Sequence, residues 1–226
     1  MLTLEVFMNN SERKEKLETR ILSSRGRSLL DHELLERTLS ECEEGREVAK
    51  KLIELFSSLG RVINADFHEL KNVTGMNDGA IASIFCLKEI FDRILKGKLK
   101  KLSILDNREE LLKYFKTAIG QSRKESLRVI YLDRSGHLIY EYIQDCGTID
   151  RVPLYVREII KQGLLIDASS IAISHNHPSG DTEPSKEDED NTLTLAATCE
   201  NVGMKLIDHI IVTQKSHFSF YDSGLL

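Results

Sequence analysis

The stretch "SHNHPSGDTEPSKED", Ser174 to Asp188, decides how this chain is read. It closes "ASSIAIS", a small-residue and β-branched run that predicts a buried strand. Side chains alternate along a strand, so His175 and His177 share one face. Two neutral imidazoles on one face suit a divalent metal of the zinc type. A catalytic zinc usually takes a third protein ligand and leaves a position for water. Asp188 is the candidate third ligand. Pro184-Ser185 followed by Asp188 also has the form of a helix start, with Ser185 as N-cap and Asp188 reaching back from the third helical position. The two roles are compatible, because an aspartate on a first helical turn can face a histidine pair at the end of an adjacent strand. Pro178 and Gly180 shape the intervening turn. Of the acidic run Glu187 to Asp190, which suits a helix N-terminus, only Asp188 needs to face inward.

Outward from this stretch, the C-terminal half mixes strands and helices. "SLRVIYLD" and "HLIYEYIQD" are β-branched and aromatic, and "RSG" between them reads as a hairpin turn. "VPLYVREIIKQGLL" and "EDEDNTLTLAATCENVG" predict helices, and "MKLIDHIIVT" and "HFSFYD" predict closing strands. The order argues a mixed α/β or α+β unit over residues 104–226, opened by a helix in "REELLKYFKTAIG". Residues 1–100 predict an all-helical domain. Leucines recur at three- and four-residue spacing in "LLDHELLERTLS". "GREVAKKLIELFSSLGRVI" continues the pattern and ends near Gly60, and "GAIASIFCLKEIFDRILKG" is closed by Gly97. The charge run Lys96 to Lys101 reads as the connection between the two domains.

Bulk properties bound the function. The chain has 226 residues, with 30% charged and 41% hydrophobic, an ordinary soluble composition. No apolar run suits a membrane span, and the N-terminus shows no signal peptide, so a cytoplasmic location is expected. Cys42, Cys86, Cys146 and Cys199 are scattered, with no C-x-x-C pair, so neither a disulfide framework nor a thiolate zinc site is indicated, and buried reduced thiols are expected. Residues 1–103 carry 18 Lys+Arg against 17 Asp+Glu, and residues 104–226 carry 13 against 19. Neither half is a polycation, so charge gives no support to strong nucleic-acid binding.

His175-Asn176-His177-Pro178, then six residues, then Ser185-Lys186-Glu187-Asp188 matches H-x-H-P-x6-S-x-x-D. This resembles the motif of JAMM (MPN-type) metalloproteases, and "HNHPSGDTEPSKED" resembles its RadC family version. "RVIYLDRSGHLI", "GTIDRVPLYVREIIKQGLLIDASSIAISHNHPSG" and "GMKLIDHIIV" are similar to that family as well, so the resemblance covers nearly the whole chain. It implies a JAMM-type α/β domain around one zinc ion per chain, held by His175, His177 and Asp188. It implies a catalytic glutamate at the start of the first strand, here Glu125, otherwise a plain strand-edge residue. Glu125 would take a proton from the zinc-activated water and hand it to the leaving amine. Ser185 would donate to the oxyanion. The substrate would be a peptide or protein, cut at a peptide or isopeptide bond.

The family layout also implies a helix-hairpin-helix element, here in "NADFHELKNVTGMNDGAIASI". Such hairpins turn backbone N–H groups to a phosphate. In this chain Gly75-Met76 is followed by Asn77 and Asp78, so the second glycine is missing and a carboxylate has entered. The element reads as degenerate, with at most weak DNA binding through residues 60–85. A DNA-repair, recombination or mobile-element role is the alternative function, and a metal-free scaffold is a third. Asp208-His209 is a polar pair inside an apolar strand. It is either a satisfied core pair or a support for the zinc ligands from behind. Asn176 and Ser179 either orient substrate or close the turn, and Gly147-Thr148 falls in a segment the family places near the site.

Overall fold

A computed structural model describes residues 10–144 and 153–226, so Cys146, Gly147 and Thr148 lie outside the described residues. The chain divides into two compact units at Lys88 and Glu89. That is earlier than the charge run suggests, because one helix crosses the division. This helix, α6 (Asp78–Leu99), runs through Gly97 rather than ending there. Its last turns belong to the second unit, where Leu99 is buried and Lys96 pairs with Glu141.

The first unit is helical. It contains α1 (Asn10–Ser24), α2 (Asp31–Thr38), α3 (Gly45–Phe56), α4 (Leu59–Ile63), α5 (Phe67–Lys71) and the start of α6. Leu35, Leu39, Val48, Leu52, Phe56, Leu70 and Ile84 close its core. Helix α3 stops at Ser57, which takes a left-handed φ of 68°. Ser58 then caps α4, accepting a bond of 3.2 Å from the Arg61 N–H. Gly60, expected as a C-cap, therefore lies inside α4. Between α5 and α6 the chain turns at Gly75, φ +95°. The Asn77 side chain caps α6 by accepting from the Ala80 N–H at 2.8 Å. Asp78 pairs with Lys71 at 2.5 Å, and a Cβ at Gly79 would collide with the Glu41 carboxylate.

The second unit is a mixed five-stranded sheet with helices on both faces. Its elements are α7 (Arg108–Ala118), β1 (Leu127–Leu132), β2 (Leu138–Gln144), α8 (Val156–Leu165), β3 (Ser170–Asn176), α9 (Lys186–Asn201), β4 (Lys205–Val212) and β5 (His217–Ser219). The strand order is β2-β1-β3-β4-β5, parallel only between β3 and β4. "RSG" does form the β1–β2 turn, with the Asp133 carboxylate accepting from the Ser135 and His137 N–H groups. One face of the sheet packs on α7 through Ile130, Ala172, Ile207, Ile210 and Phe115. The other packs on α8 and α9 through Val129, Ile171, Ile173, Ile160 and Leu195. Buried Arg128 lies 3.2 Å from Glu141 and 3.8 Å from Asp92, and Tyr114 donates to the same Glu141 carboxylate. A buried guanidinium so surrounded is compensated rather than stranded.

Both faces of the central strand β3 are therefore covered, and all seven of its residues are buried. Among the described residues no helix is long and apolar enough to cross a membrane. Cys42 and Cys199 are buried as expected, whereas Cys86 is exposed.

Candidate metal centre

The site forms where β3 ends and α9 begins. His175 and His177 leave β3 on the α9 side, and the chain then turns at once. The Gly180 N–H donates to the His177 carbonyl at 3.1 Å, with Gly180 at φ +89°, a conformation that glycine adopts without strain. The turn brings the Asp181 carbonyl to His177 Nδ1 at 2.9 Å. A carbonyl only accepts, so Nδ1 carries the ring proton and Nε2 of the neutral ring is left with a bare lone pair.

Helix α9 opens with the capping box that the spacing predicts. The Ser185 Oγ accepts from the Asp188 N–H at 3.1 Å, and Asp188 Oδ2 accepts from the Ser185 N–H at 2.9 Å and from its hydroxyl at 2.6 Å. Asp188 is half-buried while Glu187, Glu189 and Asp190 are exposed, so only Asp188 of the acidic run faces inward. The box turns its carboxylate to the histidines. Oδ1 lies 3.3 Å from His175 Nε2, and Oδ2 lies 3.8 Å from His177 Nε2. The two Nε2 atoms are 3.0 Å apart.

These separations fit a metal ion. Ligands about 2.0–2.1 Å from a tetrahedral zinc lie about 3.3 Å from one another. The nitrogen–nitrogen distance of 3.0 Å and the distances of 3.3 Å from Oδ1 to His175 and 3.8 Å from Oδ2 to His177 lie around that value. Among the described residues this is the one group of three His, Cys, Asp or Glu side chains close enough to share an ion. Burial pushes the His175 pKa down to about 4, against the pull of the Asp188 carboxylate and with His177 lowering it further. The ring is neutral at pH 7, the state a metal requires of its ligand.

Glu125 precedes β1. Leu127 pairs with His175 at the end of the antiparallel β1–β3 ladder, so Glu125 lies two residues before the strand that neighbours the histidines. The segment before β1 is fixed by Asn176, which is fully buried and points to the opposite face from its neighbours. Its amide donates to the Ser122 carbonyl at 3.2 Å and the Lys124 carbonyl at 3.0 Å, and its Oδ1 accepts from the Ser126 N–H at 2.8 Å. Asn176 is thus a clasp on the segment that carries Glu125, rather than a loop-closing residue.

The Asp208-His209 pair is split between the two faces of β4. The β3–β4 register slips by one residue, pairing Ile171 with Leu206 but Ala172 with Asp208 and Ile173 with His209. This bulge re-aims the pair. His209 Nε2 lies 2.8 Å from His175 Nδ1, and its ring stacks on Phe220 with centroids 4.8 Å apart. Asp208 faces α7 instead, accepting from the Ser219 hydroxyl at 2.7 Å and the Tyr221 N–H at 3.2 Å, with Arg108 3.8 Å away. Burial raises its pKa, while those two bonds and the Arg108 charge lower it. Sequence reasoning passed over Thr192, which is fully buried beside His209 and Asp188. Its signal was the four-residue spacing from Asp188, which sets both on one face of α9.

The mixed sheet with helices on both faces is consistent with a JAB domain. A family model described as RadC-like JAB domain matches residues 105–225. The chain is 34% identical over 228 residues to a UPF0758 protein of Fusobacterium nucleatum, covering 96% of this chain and 98% of that one. It is 32% identical over 218 residues to a UPF0758 protein of Ruegeria pomeroyi, covering 95% and 97%. A UPF0758 protein of Rhodobacter capsulatus is 33% identical over 213 residues, covering 93% and 100%. The chain belongs to the RadC family.

Proposed function

We propose that the chain is a zinc-dependent hydrolase of the JAMM class that cleaves peptide or isopeptide bonds. The observation that carries this reading is the convergence of His175 Nε2, His177 Nε2 and an Asp188 carboxylate oxygen within 4.8 Å of one another. Two imidazole nitrogens and a carboxylate oxygen held so close are the ligand types and spacing that a zinc ion takes. His175, His177 and Asp188 would hold the ion. When bound, zinc supplies Lewis acidity and lowers the pKa of water toward neutrality.

The remaining work falls to the chain. Glu125, two residues before the strand that pairs with β3, accepts a proton from the attacking water on its carboxylate and returns it to the leaving nitrogen. The Ser185 hydroxyl, on the first residue before α9, donates to the developing oxyanion by turning its proton away from Asp188. Asn176 keeps the Glu125 segment in place. The substrate class follows from the bond such a site cuts, a peptide or isopeptide bond of a protein.

DNA is the less supported partner. The helix start that a phosphate would use, at α6, is capped by Asn77 and crowded by Asp78 and Glu41, and carboxylates repel a phosphate. The hydrolase reading is tested by comparing newly formed peptide termini in cells that carry the wild-type chain or Glu125→Gln. Cleavages present only with wild type support it. Identical termini in the two cell lines count against it.

A further inference from the structure

Behind the ligand set lies a chain of three side-chain contacts that ends on the main chain. Thr192 Oγ1 is 2.5 Å from the Asp188 carbonyl oxygen and 2.5 Å from His209 Nδ1. His209 Nε2 is 2.8 Å from His175 Nδ1. Thr192, His209 and His175 are 0%, 1% and 4% exposed, so water does not compete for these bonds.

The proton positions follow from counting. A carbonyl oxygen only accepts, so the single hydroxyl proton of Thr192 goes to Asp188. Thr192 Oγ1 then accepts from His209, which places the His209 proton on Nδ1. A neutral imidazole has one ring proton, so His209 Nε2 accepts, and His175 must donate from Nδ1. His175 Nε2 is left bare, directed at His177 and Asp188. His177 reaches the same tautomer by one step, through the Asp181 carbonyl. His175 has no such short route, because it lies on a central strand whose neighbouring carbonyls are engaged in the ladder on both sides.

We propose that Thr192 and His209 are positioning residues that fix the tautomer of His175, and that this relay takes its direction from the main-chain carbonyl of Asp188. The residue that offers the third ligand thereby also sets the proton position of the first. A metal role for the relay rests on the hydrolase reading above, but the tautomer itself does not. Phe220, stacked on the His209 ring, holds it in the plane the relay needs.

The test uses full-length metal-free protein with nitrogen-15 histidine, whose long-range proton–nitrogen NMR correlations separate the two tautomers. It adds zinc titrations of wild type, Thr192→Val and Thr192→Ser. Wild type and Thr192→Ser should show His175 protonated at Nδ1 and bind zinc alike. Thr192→Val, equal in volume but unable to pass the proton direction on, should lose the single tautomer. It should bind zinc roughly 10- to 100-fold more weakly, the usual effect of removing a partner behind a ligand. A mere packing role predicts the reverse order, with Val harmless and Ser harmful. The proposal is overturned if wild-type His175 is protonated at Nε2, or if Thr192→Val keeps both tautomer and affinity. If wild type takes up no zinc, the hydrolase reading fails, and the NMR spectrum of the metal-free protein still decides the relay.

Discussion

Leu127 of β1 lies opposite His175 of β3, so the segment that carries Glu125 leads directly into the strand beside the histidines. Glu125→Gln keeps the shape and removes the base. It should retain zinc binding and lower turnover of a cleaved peptide by roughly 10²- to 10⁴-fold, the usual size of a general-base contribution. Peptide hydrolysis measured beside zinc content checks this, and full activity in the variant would remove Glu125 from the mechanism.

Asn176 holds that segment through three hydrogen bonds from one side chain. Asn176→Ala leaves the buried Ser126 N–H without its acceptor and should cost about 2–3 kcal/mol of stability. Zinc affinity should change little, because the histidines on either side point the other way. Urea denaturation with a parallel zinc titration measures both. An unchanged denaturation midpoint would show that the clasp contributes nothing.

Asp208 makes a prediction about pH. Burial raises its folded pKa above the unfolded value. Between those two values the folded chain holds more protons than the unfolded chain, so this group's contribution to stability falls as pH rises through the window and is least at neutral pH. Wild type should therefore gain stability relative to Asp208→Asn as the pH is lowered from about 7 to about 4. Denaturation curves for both proteins at the two pH values measure the difference. A relative loss by wild type on acidification would reverse the sign.

Much of the site was legible because its signals are local. His175 and His177 are set on one face by strand alternation, and Ser185 with Asp188 is a capping box written at fixed spacing. The strand–turn–helix between them follows from Pro178, Gly180 and Pro184. What was not legible depends on register. Which of Asp208 and His209 faces the metal side is decided by a one-residue slip between β3 and β4 that no local pattern in "LIDHIIV" announces. Thr192 is an ordinary helix residue until His209 arrives from a strand seventeen positions away. The end of α6 depends on tertiary contacts for a related reason. Gly97 and the lysines around it read as a break, but Leu99 is buried and Lys96 pairs with Glu141, and these tertiary contacts carry the helix through.

The central claim is that His175, His177 and Asp188 hold a zinc ion, and the most direct measurement is the metal content of purified protein. Elemental analysis should find one zinc per chain in wild type and almost none in His177→Ala, with both proteins folded by circular dichroism. Folded wild-type protein that neither contains zinc nor takes it up on titration would contradict the account, as would His177→Ala that keeps its zinc.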